Sequence, residues 1–102
     1  MKDHVLVAMA ITLGMANTTT LAAGDAAAGQ AKAGICAACH GPTGQSPNEL
    51  WPNLAGQKPG YLVKQLKALR EGTRTDPMMS PMAKPLTDAD IDNLAAYFSS
   101  QK

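Results

Sequence analysis

The stretch "GICAACHGPTG", residues 34–44, contains both cysteines of the chain and one of its two histidines. Cys36 and Cys39 are three residues apart, and His40 directly follows the second cysteine. On an α-helix this spacing places both sulfur atoms on one face, and the next side chain lies about 100° further round. The stretch therefore predicts a site in which two thiols and an imidazole act on the same bound group.

Four kinds of site use a cysteine pair of this kind. A structural zinc ion needs four ligands, whereas this chain has one cysteine pair with one neighbouring histidine. A thioredoxin-like dithiol belongs to a βαβ unit, for which the chain has no strand pattern. A disulfide between adjacent helical turns closes too short a loop to stabilise the fold much. The fourth, c-type haem attachment, has Cys-x-x-Cys-His as its signature. It fits the chain better than the other three and predicts thioether bonds at Cys36 and Cys39 and an axial iron ligand at His40.

Length and charge limit the possible functions further. The chain has 102 residues, enough for one domain, with a formal net charge of +1 and an aromatic content of 4%. Such a chain lacks both the basic surface and the stacking platforms that nucleic-acid-binding proteins use. We therefore expect no nucleic-acid partner.

Residues 1–23 have the composition of a secretory signal peptide. A positively charged start is followed by an apolar run over residues 5–15 and then by small residues. The run is too short to cross a bilayer, which disfavours the alternative of an uncleaved membrane anchor. We expect cleavage after Ala22 or Ala23, a periplasmic location, and a mature domain over residues 24–102 without stable membrane insertion.

Cleavage of the signal peptide changes which side chains are available to bind a cofactor. It removes His4 and leaves His40 as the one histidine of the mature protein. A chain of about 80 residues forms a marginal hydrophobic core by itself, and secreted domains of this size usually depend on several disulfides. One cysteine pair does not meet that need, so we expect a buried cofactor to complete the core.

Three segments have helical patterns, and none alternates as a β-strand does. Residues 25–36 are rich in alanine, residues 61–72 carry a leucine stripe, and residues 86–102 begin with a Thr-x-x-Asp capping pattern. Two proline-rich segments, 41–60 and 72–86, are predicted to be loops. The predicted fold class is all-α, with three main helices and long loops wrapped around one covalently bound haem.

A second axial ligand for the iron is expected in the later loop, because no other histidine remains. Met78, Met79 and Met82 all lie there. A thioether is the usual alternative to imidazole and raises the reduction potential of the iron. Methionine also fills gaps in hydrophobic cores, a role we expect for two of the three. The chemistry of the residues does not by itself select the ligand.

From residue 24 to residue 102 the sequence resembles class I c-type cytochromes, in particular the cytochrome c4 and bacterial cytochrome c553 group. The resemblance rests on the stretches "GDAAAGQAKAGICAACHGPTGQSP", "PNLAGQKPGYLVKQLKALREGTRTD" and "MSPMAKPLTDADIDNLAAYFSSQK". It implies a small class I cytochrome c fold with covalently attached haem c. Cytochromes c4 carry two haem domains, whereas the single motif here favours the single-haem form.

The resemblance also assigns individual residues. It implies Met79 as the distal axial ligand, with Met82 as second choice and Met78 as third. In this family the first and last helices cross where a glycine meets an aromatic ring. Here that crossing is expected at Gly29 and Tyr97.

Further side chains are candidates for contacts around the haem. Pro42 or Pro47 is expected to offer a carbonyl to the second ring nitrogen of His40. The basic residues over 58–74 form either a solvated helix face or a surface that steers acidic redox partners. Contacts to the haem propionates, or else packing and surface roles, are expected for Trp51, Gln57, Tyr61 and Lys64.

The function implied by the resemblance is that of a soluble periplasmic electron carrier, not an enzyme. Its expected partners are a respiratory cytochrome complex as electron donor and a terminal oxidase or periplasmic reductase as acceptor. One alternative is a haem-based sensor or peroxidase-like protein with an open sixth position, whose reduced form would bind carbon monoxide at neutral pH. The other is a haem-free thiol oxidoreductase using Cys36 and Cys39, which would purify colourless.

Overall fold

The computed structural model describes residues 24–102, and the segment predicted to be a signal peptide lies outside them. The described residues form helices joined by turns and loops, with no strand among them, which confirms the predicted all-α class. Within this range no helix is long and apolar enough to span a bilayer. The helices are α1 Ala26–Lys32, α2 Gly34–His40, α3 Pro59–Glu71, α4 Met79–Ala83 and α5 Asp88–Ser99.

The single helix predicted over residues 25–36 is in fact two helices. Asp25 caps α1 as its sequence position indicates, because its carboxylate accepts hydrogen bonds from two amides of the first turn. Ala33 then joins α1 to α2, and α2 continues past the predicted end to His40. Gly41 ends α2 with a φ of 82°, a left-handed conformation that favours glycine. The whole Cys-x-x-Cys-His motif therefore lies on one short helix.

Helix α1 packs across α5 at Gly29, as the family resemblance implies. A methyl group at Gly29 would overlap the backbone carbonyl of Asn93 and would lie 2.8 Å from Cβ of Tyr97. The N–H of Asp25 also donates to Oδ1 of Asn93 at 2.8 Å. The absence of a side chain at Gly29 is what allows the two helix backbones to approach this closely.

Helix α5 supplies the centre of the hydrophobic core. Its start has the predicted capping box, in which the Thr87 hydroxyl accepts from the Asp90 amide and the Asp90 carboxylate accepts from the Thr87 amide, each at 3.0 Å. Its buried apolar face packs against α1 and α3. That face consists of Ile91, Leu94, Ala95, Tyr97 and Phe98.

Helix α4 lies inside the segment that the sequence predicts to be a loop. Pro81 stands in its first turn, where a backbone N–H would have no intrahelical partner, so proline is tolerated there. Ala83 is fully buried and fixes the helix beside α3. The prolines around this turn therefore delimit a short helix instead of preventing one.

Candidate functional site

A cavity of about 580 Å³ opens between the helices, and most of its wall is apolar. Its residues come from α2, α3, α5, the loop between α2 and α3, and the segment that leads into α4. The apolar faces of α3 and α5 that form the core also form this wall. These shared residues are Leu62, Leu69, Leu94, Ala95 and Phe98.

Helix α2 brings the three predicted residues of the motif to this cavity. Cys36, Cys39 and His40 all line it, as expected for thiols three residues apart with an imidazole directly behind. Both cysteines are free thiols and are partly buried. Burial raises the pKa of the Cys36 thiol, so the neutral form prevails there at neutral pH.

His40 is buried, with 6% of its surface exposed, and its ring is held in one orientation. Nδ1 lies 2.8 Å from the backbone carbonyl oxygen of Pro52. A carbonyl oxygen can only accept, so Nδ1 donates and carries the ring proton. The lone pair of Nε2 is thereby left available for a metal ion, the arrangement that metal-binding histidines use.

The partner of His40 differs from the one predicted. The carbonyl of Pro42 or of Pro47 was expected to accept this hydrogen bond, and both predictions are wrong, since the Pro52 carbonyl accepts it. The Pro42 carbonyl instead accepts a hydrogen bond of 2.8 Å from the hydroxyl of Tyr97. The loop after α2 leads away from the ring and returns to it at Pro52, a path that residue spacing does not reveal.

The three methionines occupy different places. Met79 lines the cavity and packs against the hydrophobic core. Met78 also lines the cavity but is 56% exposed. Met82 is 41% exposed and is not part of the cavity wall. The placement therefore favours Met79 over Met82 as the residue that faces a group bound beside His40.

The cavity wall also contains polar side chains, and the sequence predicted some of them as contacts of the haem propionates. Of the candidates for propionate contacts, Trp51, Gln57 and Tyr61 line the cavity, whereas Lys64 is exposed on α3 and does not. Sequence reasoning missed the pair formed by Arg74 and Gln65, which line the cavity and share a hydrogen bond of 3.0 Å. Arg74 was counted only within the basic segment, although its position just beyond α3 was a usable signal.

The residues that line this cavity have the chemical properties that haem c requires. The macrocycle is apolar and matches the leucine-rich wall, while its two propionates match the Arg74 guanidinium and the polar groups near it. Covalent attachment needs two thiols on one edge, which Cys36 and Cys39 provide. The iron needs a neutral imidazole nitrogen, which the hydrogen bond to Nδ1 leaves free on His40.

Comparison with known proteins settles the family. Residues 26–102 match the family model for cytochrome c. The chain belongs to the cytochrome c family. This family binds covalently attached haem c, which is therefore the cofactor of this cytochrome. The predicted class I fold and the predicted haem c are both confirmed, and a haem-free thiol oxidoreductase is left without support.

Three known cytochromes show how close the similarity is. This cytochrome is 49% identical over 100 residues to cytochrome c4 from Pseudomonas aeruginosa, an alignment that takes in 98% of this chain and 49% of that protein. It is 51% identical over 83 residues to cytochrome c-554(548) from Halomonas halodenitrificans, over 78% of this chain and 100% of that protein. The crystal structure of reduced recombinant cytochrome c4 from Pseudomonas stutzeri superposes with a TM-score of 0.75 at 47% identity, over 78% of this chain and 47% of that one. The chain thus spans about half the length of the cytochromes c4 that it matches.

Proposed function

We propose that this chain is a single-haem electron carrier in which Cys36 and Cys39 hold haem c and His40 and Met79 bind its iron. One observation carries the proposal: the two thiols, the buried imidazole and the Met79 side chain line a single apolar cavity. Similarity to cytochromes c4 over nearly the whole chain supports the same conclusion. When bound, haem c supplies a one-electron couple between ferrous and ferric iron.

The protein's own residues set the conditions for that couple. The Pro52 carbonyl keeps the His40 ring in one orientation, so that Nε2 is always presented to the metal. The leucines of α3 and the apolar face of α5 line the cavity and would keep water away from a bound haem, which would lower the local dielectric. A thioether from Met79 raises the reduction potential relative to a second imidazole. If His40 and Met79 both bind the iron, no position on it is left for a substrate, and this favours a carrier over an enzyme.

The proposal extends to the compartment and the partners. We propose that residues 1–23 direct export and that the domain over 24–102 works in the periplasm. The support is the composition of the first segment.

The proposed partners of the electron carrier are redox proteins, with a respiratory cytochrome complex as donor and a terminal oxidase or periplasmic reductase as acceptor. The basic residues of α3 favour acidic docking surfaces on these partners, so that electron transfer slows as salt concentration rises.

The optical spectrum of the oxidised protein tests the ligand assignment. A thioether on ferric haem gives a weak far-red charge-transfer band, which we expect in the wild-type protein and expect to be lost completely in Met79→Ala. Met82→Ala is the matched control, because its side chain lies outside the cavity wall, and it should keep the full band. Survival of the band in Met79→Ala together with its loss in Met82→Ala would show that the ligand is misassigned. Rapid binding of carbon monoxide by the reduced wild-type protein would instead favour a ligand sensor.

A further inference from the structure

The backbone just before α4 is held by an unusually complete set of hydrogen bonds. Oδ1 of Asp76 accepts from the N–H of Met78 at 2.9 Å and from the N–H of Met79 at 2.8 Å. In return, the N–H of Asp76 donates to the hydroxyl of Ser80 at 2.9 Å. The N–H of Ser80 then donates to the carbonyl of Asp76 at 3.0 Å. We call this set of four bonds, within residues 76–80, the Asp76 clamp.

The Asp76 clamp acts directly on the backbone of Met79. Met79 is the first residue of α4, so its N–H has no partner inside the helix and depends on the Asp76 carboxylate. The direction in which a side chain leaves a helix is set by the backbone that carries it. The clamp therefore fixes where the Met79 side chain points, and it does so from a residue that itself lines the cavity.

On this geometry, and resting on the proposed ligation by Met79, we propose that Asp76 is a positioning residue that keeps the Met79 thioether in place over the haem iron. Ser80 closes the clamp from the other side. Loss of the clamp would free the first turn of α4, so that the Met79 thioether would leave the iron for part of the time.

The chain offers a matched control at the start of α1. Asp25 accepts from the N–H groups two and three residues further on, at 2.9 and 3.4 Å, which is the same pattern as in the Asp76 clamp. Asp25 is not part of the cavity wall. Asp25→Ala therefore removes the same pair of amide hydrogen bonds without touching the segment that carries Met79.

The test compares the holoproteins of Asp76→Ala, Asp76→Asn and Asp25→Ala with the wild type. In Asp76→Ala we expect most of the far-red band of the oxidised protein to be lost. We also expect carbon monoxide to bind the reduced protein about tenfold more readily, the order of magnitude expected when two hydrogen bonds that hold the competing ligand are lost. Asp76→Asn keeps an accepting oxygen at the same position and should retain the band. Asp25→Ala should retain the band although it lowers the stability of the fold.

Several outcomes would overturn the proposal. One is a full band in Asp76→Ala together with no gain in carbon monoxide binding. Another is a loss of the band in Asp25→Ala as well, since the effect would then be general destabilisation. Equal loss in Asp76→Asn and Asp76→Ala would also contradict it. If Asp76→Ala yields too little folded protein, Ser80→Ala removes one bond of the clamp, and an unchanged band in that variant would count against the clamp. Failure of the ligand assignment looks different, because the band would then survive in Met79→Ala.

Discussion

At the scale of single residues, the state of one ring proton decides what His40 can bind. The proton resides on Nδ1 because the atom opposite, the Pro52 carbonyl oxygen, can only accept. A backbone carbonyl neither titrates nor rotates, so it sets the tautomer more firmly than a side chain would. Replacing Pro52 would therefore act on the orientation of His40 through the path of the loop and not through the loss of a polar side chain.

Gly29 gives a prediction at the same scale. Gly29→Ala would place a methyl group against the Asn93 carbonyl and against Cβ of Tyr97, and both belong to a rigid helix. We expect the free energy of unfolding to fall by about 1–3 kcal/mol, as for other overpacked sites. Denaturation by urea, followed by circular dichroism, measures the change.

Gly60 is the matched control for Gly29. It also lies in a helix, but a methyl group added there meets no atom of the described residues within 4 Å. Gly60→Ala should leave the unfolding free energy unchanged or raise it by about 0.5–1 kcal/mol, the gain from a better helix former. Equal losses in the two variants would mean that the α1–α5 crossing is not a tight contact.

At the scale of helices, Arg70 ties the end of α3 to the start of α5. Its guanidinium donates to the Leu86 carbonyl at 3.1 Å and to the Asp88 carboxylate at 2.7 Å. The same group also bonds Glu71 at 3.2 Å. Arg70 thus fixes the angle at which the chain turns from α4 into α5, the helix that supplies the core.

The ion pair between Arg70 and Asp88 predicts a dependence of stability on pH. The hydrogen bond from Arg70 holds the pKa of Asp88 below its ordinary value. A carboxylate whose pKa is lowered by folding stabilises the protein above the pKa of the unfolded chain, about 3.9 for aspartate, and loses this effect as the pH falls through the lowered value. Wild type should therefore be more stable than Asp88→Asn at pH 7, and the difference should shrink steadily below about pH 4.

Melting temperatures of the two proteins at pH 7, 5, 4 and 3 measure this difference. Asp92→Asn is a control in the same helix, since Asp92 forms no ion pair within residues 24–102. It should leave the ion pair between Arg70 and Asp88 intact. A difference between wild type and Asp88→Asn that stays constant from pH 7 to pH 3 would contradict the role given to the ion pair.

At the scale of the whole molecule, the hydrophobic core and the cofactor cavity are one structure. Leu94, Ala95 and Phe98 are buried in the core and also line the cavity. Without its cofactor, a domain of this size would expose that wall to water, and small domains have little stability in reserve. The haem is therefore expected to act as the central part of the core.

A haem-free form tests this expectation. The double variant Cys36→Ala/Cys39→Ala cannot form thioethers, so it should be obtained without covalent haem. We expect it to lose at least about half of the helical circular dichroism signal and to bind a hydrophobic dye, as loosely packed states do. Met82→Ala, with its haem attached, is the control and should keep both properties of the wild type. A haem-free double variant with the full helical signal would show that the polypeptide core is sufficient.

Features that depend on neighbouring residues could be predicted from the sequence, and features that depend on the path of the chain could not. The motif on α2 and the capping box of α5 are local patterns, and both are found where expected. The helix crossing at Gly29 was predicted from the resemblance to class I c-type cytochromes. The Pro52 contact with His40 and the pairing of Arg74 with Gln65 depend on loops that fold back, and no spacing rule encodes them.

The division between α1 and α2, and the existence of α4, escaped prediction for a related reason. Gly34 directly follows Ala33 and is a residue that often ends a helix, but a glycine in an alanine-rich stretch does not by itself show that the helix breaks. The two helices have different partners, since α1 packs on α5 while α2 lines the cavity. The prolines around α4 normally indicate a loop. Here Ala83 packs beside α3 and the Asp76 clamp holds the first turn, two contacts that favour a short helix among these prolines.

The crossing of α1 and α5 has a consequence for the order in which the molecule is made. The hydrogen bond between Asp25 and Asn93 joins positions 68 residues apart. The start of α1 therefore cannot form this contact until α5 has been synthesised. A chain made from its amino terminus presents Cys36 and Cys39 before α5 follows. Until α5 packs against α1 and α3, the cavity lacks the wall that Leu94, Ala95 and Phe98 provide. At that stage both thiols would be more accessible to haem than in the complete fold.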